Sequence, residues 1–169
     1  MAGQLIQVNT ATVTVATPSV TLTGIDSDDV YMVAYNNVLP SLDYQLLSNR
    51  VTVSGTADTT ANYDWAYKLF SAAGAFSNIS TTNDTDNVLA TNGTGGNEST
   101  NGIMYLFNFN NASEYSFGTV ENTIRESDTN LRGIQGGYVH TVAQACDAIQ
   151  SFYASGNIAS GTFTLYKVV

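Results

Sequence analysis

Apolar and polar residues alternate with a period of two along most of this chain, the spacing that puts apolar side chains on one face of an extended strand. Within Gln4 to Thr23, a stretch dense in Val, Ile and Thr, Val13 and Val15 alternate with Thr12, Thr14 and Ala16, and Pro18 divides the stretch into two short strands. After the acidic turn Asp26-Ser27-Asp28-Asp29, the run Val30 to Val38 is apolar on both sides, which predicts a central strand ended by Pro40. Tyr44 to Ser54 follows, with Val51 and Val53 set against Arg50 and Thr52. Tyr63, Trp65, Tyr67 and Leu69 form one stripe on the strand Tyr63 to Phe70, with Trp65 as the expected core anchor.

Further along, Ile103, Tyr105, Phe107 and Phe109 fall on one side of a strand and Met104 and Leu106 on the other. Tyr115 to Val120, Leu131 to Val142, Asp147 to Tyr153 and Gly161 to Val169 complete the series, with a turn at Gly156-Asn157; Ala143 to Asp147 is also compatible with a helical turn. Between these strands, residues 77–102 turn abruptly to Asn, Thr, Ser, Asp and Gly, and this composition predicts a long surface loop. Some nine or ten short strands without an amphipathic helix predict an all-β fold: an antiparallel β-sandwich, jelly-roll-like. The expected organisation is one domain over 1–169, with 1–23 as an amino-terminal arm or edge strands and 77–102 as the loop.

Composition narrows the function classes. Hydrophobic residues make up 43% of the chain and charged ones 11%, so solubility rests on uncharged Thr, Ser, Asn and Gly. The net charge of −9 repels phosphate backbones, and the five basic residues are scattered, so no nucleic-acid partner is expected. A single cysteine, Cys146, allows neither an intrachain disulfide nor a cysteine-based zinc site. The start of the chain lacks the basic-then-apolar order of a signal peptide, and no stretch is long and apolar enough to span a bilayer. Membrane insertion is therefore not expected, and a role outside a cell implies carriage on a particle.

Candidate chemistry is sparse. His140 is the sole histidine, with Cys146 and Asp147 nearby, but the residues form no nucleophile-elbow motif and an ordinary packing role is the expectation; Cys146, set among alanines, reads as a small buried side chain. The clusters Asp26-Ser27-Asp28-Asp29 and Asn83-Asp84-Thr85-Asp86-Asn87 are rich in oxygen ligands yet lack the glycine and terminal glutamate of a calcium loop. Gly93-Thr94-Gly95-Gly96 has no following Lys-Ser/Thr, and the five Asn-x-Ser/Thr triplets follow from local composition. Candidate binding residues are Asn83, Asp84, Asp86 and Asn97, all in the predicted loop, while no catalytic residue, metal or cofactor is expected. Ten tyrosines offer amphipathic contact area for sugars or protein partners wherever they reach the surface.

The carboxy-terminal stretch Asp147 to Val169, with Gly156-Asn157-Ile158-Ala159-Ser160-Gly161 followed by Leu165-Tyr166, resembles the end of small virion structural proteins of marine tailed bacteriophages. Lys167 stands where that pattern has Gly. Val30 to Val38 and Leu46-Leu47-Ser48-Asn49-Arg50-Val51 are similar to core strands of the same group, so the likeness covers about half of the chain. It implies a virion localisation, as a capsid decoration (knob or cement) protein or alternatively a tail-fibre tip recognising host polysaccharide. It further implies the major capsid or another virion protein as partner, a homo-oligomer (a trimer is expected), possible contact with a host surface glycan, and no catalytic role. A carbohydrate-active enzyme is the rival from another class.

Overall fold

The computed structural model describes residues 3–74, 76–126 and 130–169, and every regular element among them is a strand. Pro18 separates β1 (Leu5–Val13) from β2 (Ser19–Thr23), and the doubly apolar run becomes β3 (Tyr31–Pro40). β4 (Gln45–Val53), the short β5 (Thr56–Ala57) and β6 (Tyr63–Ser71) follow, then β7 (Phe76–Asp84), β8 (Asn87–Asn92) and β9 (Thr100–Phe107). The last four are β10 (Ser116–Arg125), β11 (Leu131–His140), β12 (Ala148–Tyr153) and β13 (Ile158–Val168). All pairings are antiparallel. They make two packed sheets: an eight-stranded one in the order β1-β13-β3-β9-β10-β11-β6-β7, and a five-stranded one in the order β2-β12-β4-β5 with β8 also on β4. This is the expected β-sandwich, and β1 and β2 are edge strands within it.

Residues 77–102 are not a loop. β7 and β8 occupy most of the segment, leaving only 93–99 as the connection to β9. Composition misleads here because β7 is an edge strand solvated on most of its length: backbone pairing with β6 holds it, so Ser77, Asn78, Ser80 and Thr82 need no core. β8 hides its contribution in a short apolar run, of which Leu89 and Ala90 are fully buried. Ala143 to Asp147 is irregular rather than helical.

The core sits between the sheets, around Tyr31, Val33, Phe163 and Leu165 from one and Leu47, Val51, Leu89 and Ile149 from the other. Cys146 is free, and buried amides tie the sheets together. Asn49 of β4 donates to the Tyr35 hydroxyl of β3 at 2.7 Å and accepts from Ser151 of β12 at 2.7 Å. Asn87 of β8 accepts from the Tyr67 hydroxyl of β6. Asn92 of β8 donates to the Val38 carbonyl of β3 at 2.9 Å and accepts from Tyr153 at 3.0 Å, and Asn122 of β10 donates to the Leu89 carbonyl at 3.2 Å. Four amides thus cross the gap at separate points, and each satisfies a group of the facing sheet, while Asn87 Nδ2 and Asn122 Oδ1 stay buried without a partner of their own among the described residues.

Trp65 is not the anchor of this core. Tyr63 and Tyr67 of the same stripe are buried, but Trp65 is half-buried near the β6–β7 end, where the smaller sheet no longer covers the larger. Its ring stacks on Tyr67 with centroids 5.5 Å apart and its Nε1 donates to Asp84 at 3.2 Å. Because only part of the ring leaves water, Trp65→Ala is expected to cost about 1–2 kcal/mol in chemical denaturation, well short of a fully buried aromatic.

Candidate functional site

The four residues expected to form a binding loop are not brought together. Asn83, Asp84 and Asp86 lie at the β7–β8 turn, whereas Asn97 lies in the β8–β9 loop, at the opposite end of β8. Six residues of strand separate the two by roughly 17–20 Å. The carboxylates at the turn are already engaged: Asp84 accepts from Trp65 and from the Thr85 N–H, and Asp86 faces Arg50 at 3.5 Å. Asn83 adopts a left-handed backbone with φ of 56° and donates its N–H to Asp64 at 2.8 Å.

The first acidic cluster is similarly spent. Asp29 pairs with Lys167 at 2.6 Å, Asp26 accepts from the Tyr31 hydroxyl at 3.1 Å, and Asp28 accepts from Asn111 at 3.0 Å. Hydrogen bonding to Lys167 and Ser27 holds the Asp29 carboxyl below its ordinary range. No group of three or more candidate metal ligands occurs among the described residues.

His140 finds its carboxylate in Asp58 rather than in the neighbouring Asp147. Its Nε2 lies 2.9 Å from Asp58 Oδ2, while Asp147 accepts from the Thr52 hydroxyl and the Gly55 N–H. Across the β10–β11 ladder His140 faces Ser116, whose hydroxyl lies 3.6 Å from the Cys146 thiol. An acid, an imidazole and two nucleophile types therefore gather, but His140, Ser116 and Cys146 are all 0% exposed. Burial pushes the Cys146 thiol up to about 11, so it stays protonated at neutral pH. The cluster ties the loop after β5 to the end of β11.

Burial opposes ionisation of Asp58, but hydrogen bonds from the Thr60 side chain, the Thr60 backbone and His140 outweigh it and hold the carboxyl below its ordinary value of 3.8. A depressed folded-state pKa stabilises the protein above the unfolded-state value and loses that contribution as pH falls through the folded-state value. Urea midpoints should therefore drop below about pH 4, and Asp58→Asn should flatten that drop while costing about 1–3 kcal/mol at neutral pH.

Accessible concavities lie elsewhere: one of about 390 Å³ is lined by Trp65, Leu69, Ile79 and Val88, and a series lies on the outer face of the larger sheet. β10 alternates strictly, with Ser116, Gly118, Val120, Asn122 and Ile124 inward and Phe117, Thr119, Glu121 and Thr123 outward. β11 beside it presents Gly133, Gln135, Gly137 and Val139 on that outer face, and β6 presents Asp64, Ala66, Lys68 and Phe70. Two glycines lower the floor along β11, and a trough results. One stretch of about 470 Å³ lies between Phe117, Val139, Asp64 and Ser80; a second of about 280 Å³ lies between Tyr105, Thr119 and Gln135; a third of about 200 Å³ lies between Phe70, Glu121 and Gly133. Shared walls at Thr119, and at Glu121 and Gln135, make them successive parts of one track.

No family model, characterised protein or solved structure matches this chain. The site must be read from its own chemistry.

Aromatic rings flank the track at both ends. Phe117 pairs across the ladder with Phe107, which stacks on Tyr105 at 6.5 Å between centroids; Phe70 and Phe76 meet edge to face at 5.7 Å near Gly133. Phe117 is 44% exposed and Phe76 66%. Sequence reading missed this face because the strand is apolar on both sides, Ile103, Tyr105 and Phe107 on one and Met104 and Leu106 on the other, so alternation alone does not say which side points inward. The structure buries Met104 and Leu106 fully. The available signal was the alternation of Phe117, Thr119, Glu121 and Thr123, but cross-strand register is needed to set it beside the glycines of β11.

Proposed function

We propose that the protein is a structural module displayed on the surface of a phage particle, most simply a capsid decoration protein, docked through its β1 edge. The observation that carries this reading is the edge itself. β1 ends the larger sheet with one side unpaired among the described residues, Leu5 and Ile6 are 49% and 45% exposed, and no charged side chain occurs from residue 3 to residue 25. An uncharged, apolar edge invites pairing with another strand, and a capsid protein or further copies of this chain in a trimer would supply one. The likeness of the stretch Asp147 to Val169 to the end of small phage virion proteins supports the setting. In this reading the protein binds and does not catalyse.

Quantitative mass spectrometry of purified virions tests it: hundreds of copies support the capsid, a handful supports the tail, and absence from the particle overturns both. Leu5→Lys with Ile6→Lys should leave the thermal midpoint nearly unchanged, because both side chains face water, yet abolish incorporation into particles. The outer-face trough favours a second reading within the same setting, a tail-fibre tip that contacts host polysaccharide.

A further inference from the structure

We propose that the trough along β11 is a binding site for an uncharged oligosaccharide. Ownership of that glycan by a host surface rests on the display reading above; its chemistry rests on the trough alone.

The backbone excludes an extended peptide taken up by strand addition. β11 is paired on both sides, to β6 and to β10, so its N–H and C=O groups are committed to the ladders and recognition must come from side chains. Charge disfavours polyanions. The ionisable groups bordering the track are Asp64, Glu121 and Lys68, with Arg125 beyond Thr123 at the end of β10; the lysine is tied to Asn78 at 3.0 Å, and the chain as a whole carries −9.

What the track offers is a file of short polar groups beside aromatic faces. Thr119, Gln135, Glu121 and Ser80 present hydroxyl, amide and carboxylate ends, and Asp64 commits one oxygen to the Asn83 N–H while retaining a second. Sugar hydroxyls both donate and accept, which suits such a set. The C–H face of a pyranose is apolar with slightly positive hydrogens and stacks on the negative face of a ring such as Phe117. Gly133 to Val139 spans roughly 20 Å of strand, so the track admits several linked units and a single sugar fills only part of it. Open and shallow, it suits a polymer contacted along its length, and repetition on a particle would multiply a weak single contact.

The test is an array carrying neutral hexose and N-acetylhexosamine oligosaccharides of increasing length beside uronate- and sulfate-bearing ones, followed by calorimetric titration of the neutral chains that score. The expected result is binding to neutral chains that strengthens with length, with little retention of the acidic ones. Two variants keep the fold and alter the trough. Phe117→Ala removes an exposed ring, and Gly133→Leu fills the floor, where a Cβ would meet the Phe70 ring at an ordinary 3.6 Å. With unchanged thermal midpoints, each should weaken binding at least tenfold.

Failure to bind any neutral chain, preference for the sulfated ones, or equal binding by both variants would overturn the proposal; so would capture of a virion protein that Gly133→Leu abolishes. Virion composition is measured separately, so a glycan site can fail while the display reading stands, and the converse.

Discussion

Asn49→Ala should be among the most damaging single truncations in the molecule, costing about 3 kcal/mol or more in chemical denaturation. The amide is fully buried and satisfies two hydroxyls from different strands, Tyr35 at 2.7 Å and Ser151 at 2.7 Å, with Met104 Sδ at 3.5 Å from its nitrogen. Deleting it removes the donor to the Tyr35 hydroxyl, which keeps a 4.0 Å contact to Met104 Sδ, and the acceptor of the Ser151 hydroxyl, at about 1–3 kcal/mol for each buried group left without a partner, and leaves a void besides. Burial has already driven the Tyr35 hydroxyl far above its ordinary ionisation range, so it cannot relieve the loss by ionising. The alternative account, that Asn49 merely fills volume, makes a different prediction for compensation. If polar satisfaction dominates, Asn49→Leu combined with Tyr35→Phe and Ser151→Ala should recover most of the loss, and the energies of the separate changes should fail to add. If volume dominates, Asn49→Leu alone should suffice.

That polar bridge also shows where sequence reading stops. Strand positions were legible because alternation is a local property: β3, β6, β11, β12 and the two strands around Pro18 lie within a few residues of where periodicity puts them. Facing was not: in β13 Phe163 and Leu165 are buried but so is Thr164 between them, in β9 both sides are apolar, and elsewhere a polar residue is buried with a partner far along the chain. Nothing near Asn49 announces Tyr35 or Ser151, the latter 102 residues away. β7 failed for the complementary reason, since an edge strand held by its ladder needs no apolar residues to announce it. The candidate loop residues failed because composition placed them in one segment, while β8 carries Asn97 to the other end of the sandwich. The trough combines both problems: its aromatic walls look like core, and its floor is made of glycines whose importance depends on register.

The glycines of β11 provide the other large expected effect, because two on the same strand should behave oppositely. Gly136 points inward. A Cβ there would collide with the Ala66 carbonyl and come within 2.7 Å of the Tyr67 ring and 2.8 Å of the Tyr67 Cα. Those are mostly backbone atoms of the paired strand β6, so relief requires pulling β6 away from β11 and breaking the ladder that carries Tyr63, Trp65 and Tyr67 into place. Gly118 on β10 is constrained likewise, with a Cβ only 2.6 Å from the buried Tyr138 Cζ; the missing side chain is what lets that ring lie flat over the strand. Gly133 points outward and has ordinary room. Gly136→Ala should therefore destabilise by more than about 3 kcal/mol, the upper end for overpacking, and deplete the folded protein at 37 °C. Gly133→Ala should be neutral or slightly stabilising, since an alanine restricts the unfolded chain at a site whose native backbone tolerates it. Matching losses at the two positions would mean that glycine flexibility, rather than the inward collision, governs β11, and would place the trough floor on the wrong face of the sheet.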